Sequence, residues 1–196
     1  MHTLALIMKS ILITFILVLN FNTLKFDKNT VSYSRLIPLS ELIVEGNIKS
    51  LSDSSFEFLV TDFIKGNEKM VIKVKKWREW QCDMRHAKYE LGQRLILILT
   101  RNEDGIYEAM NGSTGELIIN KDESIERYSY RALPKLPITK EGIKMIITAI
   151  NFEGDMYTYS EEKYKFTILV SKSEFERLRN NNEFFYLATR GLSFGD

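Results

Sequence analysis

Apolar residues change their spacing along the chain, and each change marks an element. Between residues 36 and about 120 they alternate with polar ones or form short runs, the habit of strands. Leu42, Val44 and Ile48 surround Gly46, which predicts a strand with a bulge or a close backbone approach at the glycine. Phe56, Phe58 and Val60 alternate with Glu57, Leu59 and Thr61, a half-buried strand, and Ile64-Lys65-Gly66-Asn67 predicts a turn. Met70, Ile72 and Val74 alternate with Val71, Lys73 and Lys75, a strand with a basic outer face. From Arg94 to Thr100 the pattern is continuously apolar, as in a strand buried on both faces. Shorter strands at Ile106 to Ala109 and Glu116 to Ile119 flank Asn111-Gly112-Ser113-Thr114-Gly115. Several strands with irregular connections predict a small barrel or sandwich.

Beyond a link at 128–138, which holds Pro134 and Pro137, the period becomes helical. Ile143, Ile146, Ile147 and Ile150 share one helix face, with Thr139 placed as its N-cap. Asn151 to Lys163 reads as a solvated loop. Its Glu153, Asp155, Glu161 and Glu162 do not have the spacing of an EF-hand calcium loop. Tyr164 to Val170 alternates as a strand. Ser173 to Glu176 reads as a capping box opening a last helix to about Arg190, weakened at Asn180-Asn181-Asn182. The expected class is mainly β with an α+β extension: a barrel over 36–127, then two C-terminal helices and a strand over 128–196 that pack on the barrel.

The N-terminus carries a different signal. Lys9 precedes the apolar run Ile11 to Leu19, and polar residues begin at Asn20. A cation followed by such a run is the pattern of a secretory signal peptide, and the run is short for a membrane span. Residues 1–26 are therefore expected to be a signal peptide or an N-terminal anchor. Export to the periplasm, the cell surface or the medium follows, with membrane contact only through this segment. Removing residues 1–26 takes away Lys9 and Lys25 and moves the net charge from +1 to −1.

The chain has 196 residues, 27 of them basic and 26 acidic. That length can bury a core without disulfide staples, and the charge balance disfavours a dedicated nucleic-acid binder. One cysteine excludes an intramolecular disulfide and an all-cysteine zinc site. No P-loop, dinucleotide-binding glycine fingerprint, nucleophile elbow or zincin motif is present. No cofactor and no metal are expected.

The order of residues also resembles a known superfamily. Ser40-Glu41-Leu42-Ile43-Val44-Glu45-Gly46-Asn47-Ile48 is followed by a Phe-rich strand ending Ile64-Lys65-Gly66 and by a Val/Lys strand. Cys82, Tyr89-x-x-Gly92-Gln93 and the run Leu95 to Leu99 come next. Over residues 40–120 this resembles the netrin-like, tissue-inhibitor-of-metalloproteinases (TIMP-like) superfamily, particularly its exported bacterial members. The resemblance implies an oligonucleotide/oligosaccharide-binding (OB) barrel. The family's animal inhibitors chelate a protease zinc through an N-terminal cysteine. No cysteine stands near a possible cleavage site here, so that mechanism does not transfer, and Cys82 has no partner for the family's disulfides.

Two groups of residues carry candidate chemistry. The stretch from Lys65 to Arg94 holds nine cations against four acids, with both tryptophans of the chain, Trp77 and Trp80, flanking Arg78 and Glu79. Aromatics beside cations suit stacking on a sugar or a single strand, and equally a protein interface. Lys73, Lys75, Trp77, Arg78, Trp80 and Arg85 are the candidate binding residues. A protein partner is favoured over a sugar or other small ligand, and nucleic acid is disfavoured. Cys82 and His86, four apart, are a possible nucleophile–base or metal-ligand pair. The leading expectation is an exported, non-enzymatic binding or inhibitory module acting by surface recognition. The alternatives are a Cys82/His86-dependent enzyme or metal site, and a structural accessory protein held at a membrane.

Overall fold

A computed structural model describes residues 31–79, 83–126, 133–158 and 160–194. Residues 1–26, expected as a signal peptide or N-terminal anchor, lie outside them, as do Trp80 and Cys82. Helix α1 (Tyr33–Leu39) precedes strands β1 (Leu42–Leu51), β2 (Ser55–Lys65), β3 (Val71–Lys75), β4 (Arg94–Arg101), β5 (Tyr107–Ala109), β6 (Glu116–Ile119) and β7 (Ile125–Glu126). Then come α2 (Leu136–Ala149), β8 (Ile150–Gly154), β9 (Tyr164–Ile168), α3 (Lys172–Asn181) and α4 (Glu183–Thr189).

Strands β1, β2, β3, β5 and β4 are hydrogen-bonded in that order, and β4 returns to β1, so the sheet closes into a five-stranded barrel. All contacts around the ring are antiparallel except β3 with β5. This is the strand order of an OB-like barrel, with β6 and β7 added along β4. Closure requires β1 to bend, because it pairs with β2 along one edge and β4 along the other. Its register with β2 shifts between Ile43 and Val44, between Glu45 and Gly46, and between Ile48 and Ser50. Such bulges sharpen twist and curvature. At Gly46 a Cβ would lie 2.1 Å from the carbonyl oxygen of Leu59, so only glycine lets the two strands approach there.

Two apolar cores meet at β4. Leu95, Leu97 and Leu99 point into the barrel beside Val44, Phe56 and Phe58. Ile96 and Ile98 point outward into a second core with Leu36, Ile143, Phe175 and Phe184. The continuous apolar run is thus two alternating sets, one for each core. The helical extension covers the β1–β4–β6 side, while β2 and β3 keep the alternation of a sheet with one wet face.

The extension departs from expectation in detail. It holds three helices and a two-stranded hairpin, one helix and one strand more than the pattern predicts. Asn151 to Gly154 belong to β8, paired with β9, and are not loop. Thr139 lies inside α2, where its hydroxyl donates to the Pro134 carbonyl, because Pro137 supplies a natural first turn. The S-x-x-E cap is at Ser171, whose Oγ accepts from the Glu174 amide at 3.2 Å, two residues before the expected one. Asn182 ends α3 and caps α4, accepting from the Phe185 amide at 2.9 Å and donating to the Ile138 carbonyl at 3.0 Å. Gly142 of α2 packs so closely on this break that a Cβ would lie 2.5 Å from Asn182 Oδ1.

Charges stitch the extension to the barrel. Buried Glu45 accepts from Arg94 at 2.9 Å and from Lys140 of α2 at 2.5 Å, and Lys140 also meets Asp62 at 2.7 Å. The Lys65 ammonium donates to the carbonyls of Ile37, Pro38 and Ser40 at 2.9, 2.8 and 2.5 Å. These are end-of-helix carbonyls of α1 that lack partners within the helix.

Candidate binding face and its polar brace

The connection from β3 to β4 runs across one end of the barrel and is held by a buried carboxylate. Glu116 opens β6 on the same side as Ile118, facing the barrel interior, and is 4% exposed. Burying a carboxylate there is tolerable only if its lone pairs are filled. One oxygen pairs with the Arg85 guanidinium. The other accepts from Trp77 Nε1 at 3.2 Å and from Tyr89 Oη at 3.0 Å. Arg85 is itself buried. It also donates to the Ala87 carbonyl and, at 2.8 Å, to Gln93 Oε1, and it lies 3.6 Å from the Tyr89 ring centroid. Burial pushes the Glu116 carboxyl up, while Arg85, Tyr89 and Trp77 pull it back. Burial and then the Glu116 charge hold the Tyr89 phenol protonated. Nearby, Ser113 donates to buried Asp83.

This cluster spends its donors inward, so its chemistry is bracing. Arg85, one of the candidate binding residues, is buried here as the partner of Glu116. Trp77 is half-buried with its indole N–H engaged. Arg78 is exposed. His86 is exposed, with Nε2 3.1 Å from Glu126 Oε2. Among the described residues no group of three or more His, Cys, Asp or Glu side chains could hold a metal ion.

Lys73 and Lys75 are where the alternation puts them, on the outer face of β3. Cross-strand register places Leu59 opposite Val71 and Glu57 opposite Lys73. Lys75 sits opposite Glu108 of β5, with 3.8 Å between the charged groups. Leu59 is 39% exposed and Met70, just before β3, is 57% exposed. The face is therefore apolar at the end where β3 begins, with each lysine of β3 offset by an acid in register. Its lower end is tied to the β1–β2 loop, because Lys76 donates from its amide to Ser54 O at 2.9 Å and from Nζ to Ser52 O at 2.5 Å.

No protein-family model matches the chain, and no curated protein matches it. The geometry of this face is the remaining ground for a functional reading.

Sequence reasoning missed Glu116, Tyr89 and Gln93 as a unit with Arg85. One signal was present: Glu116 begins a run, Glu-Leu-Ile-Ile, in which alternation puts it on the interior side with Ile118. An acid at an interior strand position implies a buried cation elsewhere in the chain. Nothing in the sequence singles out Arg85 from eight neighbouring cations as that partner.

Proposed function

We propose that the protein is an exported, non-enzymatic binding or inhibitory module that recognises a protein partner through the outer face of β2 and β3 and the adjoining β3–β4 connection. The observation that carries this reading is the division of the barrel. The extension occupies the β1–β4–β6 side, and β2–β3, the strands on which OB barrels bind their ligands, stay open to solvent. The composition of the face favours protein over polyanion. Leu59, Val71 and Met70 form an apolar patch at one end, and Glu57 and Glu108 offset Lys73 and Lys75, which suits a partner of mixed charge. A nucleic-acid site would leave its lysines unpaired by acids. The TIMP-like resemblance makes a secreted hydrolase the first partner to examine. Export rests on the pattern of residues 1–26; among the described residues no helix is long and apolar enough to cross a membrane.

Affinity capture from the source's own extracts and culture medium tests this, with the full chain compared with a Leu59→Asp/Lys73→Glu/Lys75→Glu variant of unchanged circular dichroism. The proposal expects a protein retained by the wild type and lost by the variant. Equal retention by both would move the contact elsewhere, and no retained protein would reject a protein partner.

A further inference from the structure

A second site lies on the other half of the molecule. A cavity of about 520 Å³ opens between β9 and α4 with α1 as its floor. Its apolar wall comes from Tyr164 and Phe166 of β9 and from Phe184 and Leu187 of α4. Among the described residues, its only charged lining groups are Arg35 and Arg190, and no carboxylate lines it. The volume and the aromatic lining are those of small-molecule sites.

Arg35 is the informative group. Its guanidinium lies over the Tyr164 ring, 4.2 Å from the centroid, and within 6 Å of the Phe152 and Phe166 centroids, at 5.5 and 5.9 Å. Nη1 donates to the Thr158 carbonyl at 2.6 Å and to the Met156 carbonyl at 3.3 Å. Nε and Nη2 meet no acceptor, and no acid pairs with Arg35, among the described residues. The guanidinium is thus fixed in orientation by stacking and by one nitrogen, while the rest of its fork is unspent beside the cavity. Arg190 adds a second cation without an acid partner among the described residues. Another cavity shows the contrast. At the seam of barrel and α2, Glu45, Glu123 and Glu141 balance Arg94, Lys140 and Lys144. Of these two cavities, the β9–α4 one combines an apolar wall with positive charge that no acid offsets among the described residues.

We infer that this cavity binds a small monocarboxylate with an apolar body, its carboxylate on Arg35 and Arg190 and its body against Tyr164, Phe166, Phe184 and Leu187. An arginine fork held in place takes a carboxylate by two parallel hydrogen bonds, and the walls desolvate the body. The site is separate from the β2–β3 face, so its occupancy need not affect partner capture.

Titration of the full chain with octanoate and with octanol, by calorimetry and by thermal shift, tests the inference. Octanoate is expected to bind saturably and raise the melting temperature, with octanol at least about tenfold weaker. Arg35→Gln is expected to weaken octanoate by about tenfold to a hundredfold and leave octanol unchanged. Should Arg35→Gln not fold, Arg190→Gln, at an exposed position, is expected to weaken octanoate severalfold, and Leu187→Trp to abolish binding by filling the cavity. No saturable octanoate binding below about 1 mM, equal affinity for the alcohol, or binding indifferent to Leu187→Trp would each overturn it.

Discussion

The two sides of the barrel bury their strands by different means. On the covered side, β4 is apolar at every central position, because leucines face one core and isoleucines the other. On the other side, β2 and β3 bury Phe56, Phe58, Val60, Ile72 and Val74 and turn charged residues and a few apolar ones to water. A strand with two apolar faces has no surface left for recognition. A strand with one has a face that can bear substitution, and that is where a binding function can reside without cost to the fold. The connection beside the open face is held by a buried ion pair instead of by apolar packing.

That contrast can be broken at the ion pair first. Arg85→Met leaves Glu116 buried without its cation and should cost about 3–5 kcal/mol in urea unfolding. Arg85→Met/Glu116→Met, which removes both charges, should recover part of that loss. If the double variant is as unstable as the sum of the singles, the pair is not coupled as described.

The sides themselves are compared by truncation. Ile98→Ala, on the outward face of β4, should cost about 2–5 kcal/mol, whereas Leu59→Ala, on the open face, should stay within about 0.5 kcal/mol. Similar losses at the two positions would show that the open face is covered in solution.

Lys65 joins β2 to the end of α1. Burial pushes its ammonium below the ordinary amine range, yet three carbonyls depend on it. Lys65→Met should cost about 1–3 kcal/mol by thermal unfolding, because those carbonyls lose their donor.

The smallest effect is at the charged seam. Hydrogen bonding from Lys140 holds the Asp62 carboxyl below its usual range. A carboxyl lowered in the folded state contributes stability above its unfolded value, near 4, and loses it as pH falls through the folded value. For this partly exposed group the change should be within about 1 kcal/mol. Asp62→Asn should flatten the acid limb of a stability–pH curve by that amount; an unaltered limb would contradict the assignment.

Most of the barrel was legible because its alternation is regular: β2, β3 and β4 fall where period and apolar runs put them, and Gly46 marks a close approach of two strands. Helix α1 was not, since it is only Tyr33–Leu39 and carries Pro38 within it. β8 was hidden because Asn151, Glu153 and Gly154 look like loop, and its inward residues are only Ile150, which also fits the helical spacing before it, and Phe152. Of the candidate site, the lysines of β3 were legible from alternation. The role of Arg85 was not, because it depends on Glu116, 31 residues away. The Arg35 cavity was also hidden: its walls come from α1, β9 and α4, which only the folded chain brings together.

The central claim is that recognition occurs on the β2–β3 face, and amide hydrogen exchange of the full chain with its captured partner tests it most directly. The account predicts slowed exchange across Ser55 to Leu59 and Val71 to Arg78, with β4 and α2 unchanged. Protection confined to β9 and α4, or to the helical side, with β2 and β3 unchanged, would contradict it.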